Sequence, residues 1–554
     1  MHIAIPWSFV VSSLLLWHGA IGKDTDPVFP TTHTPIDQAM LFRSFVQDAP
    51  ECRASAEDGN PVFAAGIGSP PMTCPDAFAW TQYLLAIDGE FWNWGIDQTV
   101  WPAQPWSVCA SDETANCCPV DILEKPGATP DVHCPYNRQA FTPVPPLIAR
   151  PNGEPSQVVL SHRGAHKKTY VEKLDPGRLL RDLEVELVFR NASMVDYIFK
   201  NDMYNREGLG ARVRAANSAV AAGNIGAAQA LEVRMRSDAT MVKADFLHQD
   251  VMLAQGLIQP GKRPGEVAND PEYPYLTIYL QGQKVKLTDG NEYDNSGYCY
   301  MLAMTNASKA GPDWHRYAME HVANLGRCDY IGCNDSFGYT VNAAMANGAN
   351  FGGTYIPPKQ RLENNQALTE PNADPNNAIF LLGEVYRPAD YGETITPALA
   401  ALFDGMGIGT AKVDRHPALI EKADPQWRNY RLKGTQTAFT TSHGVPTGTG
   451  ATITEGGFVN SASCMSCHSQ ASTDANGNPG VGGSVGASWR LNLFGMGQVE
   501  MGSPQLSWFF YPGTSTPFAA VQYDFIWGIL NAKCINPSKH GACASIPDNP
   551  TIID

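Results

Sequence analysis

Ser463-Cys464-Met465-Ser466-Cys467-His468 is the stretch on which the reading of this chain turns. Two thiols three positions apart share one helical turn, and a histidine follows directly. This Cys-x-x-Cys-His spacing suits covalent haem attachment: the thiols add across the two porphyrin vinyl groups, and the imidazole lies beneath the iron. With 13 Cys and 13 His in 554 residues, about 0.007 matches are expected by chance. A thiol redox motif would follow a strand in a thioredoxin-like unit, and a zinc site would want a second ligand pair. Neither pattern is found. The spacing therefore predicts Cys464 and Cys467 as anchors, His468 as the proximal iron ligand, and one covalent haem c as cofactor.

Downstream, the tail to Asp554 is long enough for a small, mainly helical, c-type cytochrome-like domain over residues 441–554. Phe518 to Ala532, with Tyr523, Phe525, Ile526, Trp527 and Leu530, reads as a helix whose aromatics bury either a porphyrin edge or protein. Met496 and Met501 are candidate sixth ligands. His321 is the long-range alternative, because a helix from about Trp314 to Leu325, with Asp313 as N-cap and Gly326 beyond its end, would put Trp314, Ala318 and His321 on one face. His443, His162, His166 and His315 are weaker candidates. Methionine there would raise the potential, histidine would lower it, and an open position would bind a small ligand.

Upstream, residues 23–440 read as one α+β region of mixed strand and helix. Ala77–Asp88 has helical spacing, as do residues 175–205 and Ala211–Ala230, the last broken at Gly223-Asn224. Leu231 to Arg236 alternates with period two and predicts a strand; Tyr275–Leu287 and Tyr298–Met304 predict strands through aromatic and β-branched content. Residues 394–404 and 416–424 read as short helices, 340–375 as a long surface loop, and 440–456 as a connector.

Net charge is −16, and no Lys/Arg run exceeds two residues, which argues against nucleic acid. The acidity suits a basic redox partner protein, or solubility alone. Residues 1–22 read as a signal peptide: Ile3 to Trp17 is apolar and uncharged, and Ala20-Ile21-Gly22 offers a cleavage site. The run is short for a span, which needs ~20 apolar residues, and no later stretch approaches that length. No integral span is therefore expected after cleavage, and the expected location is periplasmic or secreted. The eleven cysteines outside the motif agree with an oxidising compartment. Cys328/Cys333 and Cys534/Cys543 could close short loops. Cys52, Cys74, Cys109, Cys117, Cys118 and Cys134 crowd the first quarter without revealing their connectivity. Cys299, with no near neighbour, is the candidate thiol. Three Asn-x-Ser triplets begin at Asn191, Asn306 and Asn334.

Several islands carry a resemblance: Phe78-Ala79-Trp80, Asp313-Trp314 through Glu320-His321, Gly326-Arg327-Cys328-Asp329-Tyr330-Ile331-Gly332-Cys333 and Asp335-Ser336-Phe337-Gly338. They continue with Trp427-Arg428-Asn429-Tyr430-Arg431-Leu432, Gly434-Thr435-Gln436, the Cys-x-x-Cys-His motif and Asp524-Phe525-Ile526-Trp527. Together they resemble large exported bacterial proteins of the cytochrome c family type, which carry one such motif near the C-terminus behind a long unclassified domain. Where the family's helix usually carries a second tryptophan and a phenylalanine, this chain has Arg316 and Met319. The resemblance implies haem c, export and one integrated architecture, and it implies no substrate.

Three functions follow as expectations: electron transfer by an exported monohaem protein; a haem-dependent oxidoreductase whose upstream domain forms a substrate pocket; or polymer or surface binding through Trp92, Trp94, Trp101 and Trp106. Hydrolase chemistry lacks both a Gly-x-Ser-x-Gly elbow and a His-Glu-x-x-His motif.

Overall fold

A mainly antiparallel sheet organises the chain, and both of its faces are buried. The computed structural model describes residues 48–96, 156–159, 184–249, 252, 258, 275–281, 284–286, 292–294, 297–322, 324, 335–340, 394–411, 420–440, 447–451, 453–454, 462–479, 503–504, 509–510, 514, 517–532 and 534. In order these hold β1 (Ala54–Glu57), β2 (Asn60–Phe63), α1 (Pro70–Thr73), α2 (Pro75–Asp88), β3 (Gly95–Ile96), β4 (Ser156–Val159), β5 (Glu184–Arg190), α3 (Ala192–Lys200), α4 (Arg206–Ala221), α5 (Ile225–Ala230) and β6 (Thr240–His248). Then come β7 (Thr277–Gln281), β8 (Lys284–Lys286), β9 (Glu292–Asp294), β10 (Gly297–Ser308), β11 (His315–His321), β12 (Tyr339–Thr340), β13 (Thr394–Ile395), α6 (Pro397–Gly405), β14 (Tyr430–Gln436), α7 (Cys464–His468), β15 (Ser472–Thr473) and β16 (Val521–Gln522). The chain is α+β, as its sequence predicts.

The eight-stranded sheet runs β14-β11-β10-β6-β5-β3, with β7 beside the start of β10 and β4 parallel to β7. Successive side chains of a strand point to opposite faces, so a strand buried on both sides must be apolar or internally satisfied throughout. One face packs on α2 and α6: Trp80, Tyr83, Leu84 and Leu402 meet Phe189, Val242, Met304, Tyr317, Met319 and Leu432. Trp92 is buried there as well, stacked on Trp427 with ring centroids 5.7 Å apart. The opposite face meets α3, α4, α7 and the C-terminal segment. Val188, Met241, Ala307 and Trp314 share this second core with Met194, Ile198, Leu209, Met465, Tyr523, Phe525 and Trp527. Residues on both sides of position 440 thus build one core. Among the described residues no helix is long and apolar enough to cross a membrane.

Several local expectations hold. The Ala77–Asp88 helix lies within α2, the Ala-rich stretch forms α4 and α5 with Gly223 at φ 73° between them, and β7, β8, β10 and α6 fall where strands and a helix are predicted. Cys52 pairs with Cys74, and Cys534 is disulfide-bonded. Cys299 lies buried in β10, its Sγ 4.0 Å from the Gly297 carbonyl. Asn306 is buried in the sheet, closed to glycosylation.

Five elements differ. The helix expected over 314–325 is the interior strand β11: Trp314 sits at φ 69°, and Arg316 to Glu320 pair with both β10 and β14. Every residue of β11 is buried, so its sequence shows no one-sided stripe to set a period. Among the described residues of 175–205, 184–190 are β5 and Ala192–Lys200 is helical, because alternation serves both cores. Leu231 to Arg236 joins no sheet. Val233 and Met235 are buried as alternation requires, but the Arg234 amide donates to the Tyr197 hydroxyl and the Met235 amide to Asp524. The Phe518–Ala532 helix is replaced by β16, a turn with Asp524 at φ 46° and Phe525 at φ 69°, and a 3-10 turn over Gly528–Asn531. Of the 416–424 helix, the described residues 420–424 are irregular. Residues 1–22, the 341–375 loop, Cys328, Cys333, Cys543, Trp101, Trp106, Met496 and Met501 lie outside the described residues.

Candidate functional site

α7 has only five residues, too few to persist without outside contacts. Ser463 caps it, its Oγ accepting from the Ser466 amide at 3.2 Å. Gln436, at the end of β14, grips the same end: its Oε1 accepts from the Met465 amide at 3.0 Å, and its Nε2 donates to Ser463 Oγ at 2.8 Å and the Thr447 carbonyl at 3.0 Å. Met465 enters the second core, and the Trp527 indole donates to the Cys467 carbonyl at 3.2 Å. The turn is thereby bolted to the sheet on one side and to the C-terminal segment on the other. Cys464 and Cys467 remain partly accessible, with Cys464 Sγ 3.2 Å from the Thr449 carbonyl.

His468 is half-buried, and its Nδ1 lies 2.8 Å from the Phe525 carbonyl. A carbonyl only accepts, so Nδ1 carries the proton and Nε2 holds the lone pair, the arrangement of a metal-ligating histidine. Burial, followed by the charges of Arg316 and Lys243, holds its pKa well below the usual value. The neutral imidazole is the ligand form.

The Phe525 carbonyl is aimed by its left-handed turn. Asp524, at φ 46°, accepts from Lys309 Nζ at 2.7 Å, Trp314 Nε1 at 3.0 Å and the Met235 amide at 2.6 Å. Asp is among the few non-glycine residues that tolerate this conformation. Arg316 Nη2 also donates to the Phe525 carbonyl, at 3.3 Å.

The sheet face beneath α7 is charged. Cross-strand register sets Arg190, Met241, Ala307, Arg316 and Gln436 in one row and Val188, Lys243, Thr305, Ala318 and Gly434 in the next. A third row holds Glu186, Asp245, Ala303 and Glu320. Lys243 pairs with Glu186 at 2.8 Å and Lys433 with Glu320 at 3.2 Å, all four buried. Small residues at the centre of these rows are ringed by charge.

The structure thus places Cys464, Cys467 and His468 together on one turn. It does not bring His321 to them. His321 shares the β11 face of Tyr317 and Met319, and its ring stacks on Tyr275 at 4.5 Å and meets Tyr430 edge-on at 5.3 Å. The sheet stands between it and the motif, so His321 and the Cys464–His468 turn lie on opposite faces. The sequence signals missed Gln436, Asp524, the Phe525 carbonyl and Arg316. A backbone carbonyl has no residue signature, but a charged residue inside an otherwise buried strand is one that could have marked Arg316.

The residues present fit a covalent haem c: two partly accessible thiols on one turn, and an imidazole whose Nδ1 is engaged and whose Nε2 carries the lone pair. Comparison with known proteins finds no matching family model, no matching characterised protein and no matching solved structure.

Proposed function

We propose that this chain is an exported monohaem c-type cytochrome that passes electrons to and from a partner protein. Cys464 and Cys467 would hold the haem through thioether bonds, and His468 would bind its iron through Nε2. The bound group would supply a one-electron couple. The observation that carries this reading is the hydrogen bond from His468 Nδ1 to the Phe525 carbonyl, on the same turn as both thiols. Such a bond fixes the tautomer and ring angle a ligating histidine needs. The small C-terminal haem domain expected over 441–554 becomes, on this reading, a haem segment sharing a core with the sheet. Intact-mass analysis of protein matured in a host able to attach haem is the test. Wild type should gain the mass of one porphyrin, and Cys467→Ala should lose the double thioether linkage. A wild-type mass equal to the bare polypeptide would refute the proposal.

A second reading, a haem-dependent oxidoreductase, is favoured by the charged sheet face with its floor of Ala303, Thr305, Ala307 and Ala318. Carbon monoxide separates the two. A reduced haem inert to it supports the carrier, and rapid binding supports the enzyme.

A further inference from the structure

Arg316 is a buried charge without an ion-pair partner among the described residues. Its side chain is 3% exposed and sits between two rings, 5.9 Å from the Trp314 centroid and 5.7 Å from that of Phe525. Its Nε is buried with no hydrogen-bond partner among the described residues. Among the described residues no carboxylate pairs with it, and the nearest candidate, Asp524, is engaged by Lys309, Trp314 and Met235. Burial draws its pKa down to about 10, partly offset by attraction to the Cys464 and Cys467 sulfurs and to Asp524. The guanidinium therefore stays charged at neutral pH.

Its one directional bond within this site is to the Phe525 carbonyl, which also receives the His468 Nδ1 proton. A carbonyl polarised by a cation is a poorer acceptor for a second donor. The imidazole bonded to it gains less anionic character than it would from a carboxylate, and donates less to a metal on Nε2. A buried positive charge near a redox group also favours the reduced state, which carries one more electron. Both effects act in the same direction. The other charged groups on this face include Arg190, Lys243, Glu186, Asp245, Glu320 and Lys433. Lys243 is answered by Glu186 and Lys433 by Glu320.

We propose that Arg316 is a positioning residue that raises the reduction potential of the group held by Cys464, Cys467 and His468, through the Phe525 carbonyl and through its own buried charge. This rests on the haem reading above and deepens it. A raised potential suits a carrier that stores an electron more than a site that drives oxidant cleavage, which needs an electron-rich axial ligand.

The experiment is an optically monitored potentiometric titration of the haem-loaded full chain as wild type, Arg316→Gln, Arg316→Lys and Lys309→Gln. Arg316→Gln should lower the equilibrium constant for reduction about tenfold, the scale of one elementary charge at close range in a protein interior, equivalent to about 59 mV. Arg316→Lys, which keeps the charge, should restore most of it. Lys309→Gln leaves the Asp524 carboxylate to answer Arg316 and should lower the potential without touching Arg316, so the test stands even if Arg316→Gln fails to fold. A merely structural role would change haem content or melting temperature, not the potential at full haem content. Haem-loaded Arg316→Gln or Lys309→Gln with an unchanged potential overturns the proposal alone. A wild-type chain without haem overturns the functional reading, and this one with it.

Discussion

Asp524→Ala should destabilise the chain by about 4 kcal/mol, and the figure follows from what its carboxylate holds. One oxygen takes Lys309 Nζ and the Trp314 indole, and the other takes the Met235 amide. Leaving the indole and amide donors buried and unpaired costs about 1–3 kcal/mol each. Breaking a buried ion pair costs about 3–5 kcal/mol, but Lys309 keeps a bond to the Pro312 carbonyl at 2.6 Å and some solvent, so the lower half of each range applies. Some of these losses are shared, and water will answer part of them, which keeps the total near 4 kcal/mol rather than above it. Alanine also sits poorly at φ 46°, at about 1 kcal/mol, within the same figure. Asp524→Asn keeps the shape and an acceptor, tolerates the left-handed backbone, and should cost roughly half as much. Urea unfolding of the haem-loaded chain, read by circular dichroism, provides the measurement. Alanine and asparagine variants of equal stability, or an alanine variant within about 1 kcal/mol of wild type, would refute the account of this turn as the brace for the Phe525 carbonyl.

Two further outcomes are expected. His321→Ala should leave the haem spectrum unchanged, since its ring is stacked on Tyr275 on the far side of the sheet, while lowering the melting temperature; a changed axial-ligand spectrum would place His321 in the site after all. Asp335 predicts a pH effect: burial, and then the Asp48 charge, lift its carboxyl from 3.8 to about 7. The folded chain then binds a proton that the unfolded chain has lost between those values, so this group's contribution to stability is complete below about pH 4 and falls as pH rises toward 7, by up to about 1.4 kcal/mol per pH unit. Asp335→Asn removes that fall, so its stability relative to wild type should climb between pH 5 and 7, and a difference independent of pH would sink the assignment.

What the amino-acid order determines by itself is local. Two thiols and an imidazole at the Cys464–His468 spacing need only one helical turn to converge, and the helices over Pro75–Asp88 and Arg206–Ala221 are written in nearby side chains and in the glycine at 223. Tertiary structure decides what surrounds that turn. His315 to His321 is buried on both sides, so no stripe distinguishes strand from helix, and pairing with β10 and β14 settles it. The same alternation sends His321 to one core and Arg316 to the other. Asp524 and Phe525 adopt left-handed angles only because partners far away in the chain hold them, Met235 at a separation of 289 positions and Arg316 at 209. The choice of His468 as the candidate ligand can therefore be read from neighbouring letters. Its hydrogen-bond acceptor and the charge that shares it depend on which sheet face each residue meets, and that is set by contacts across the whole fold.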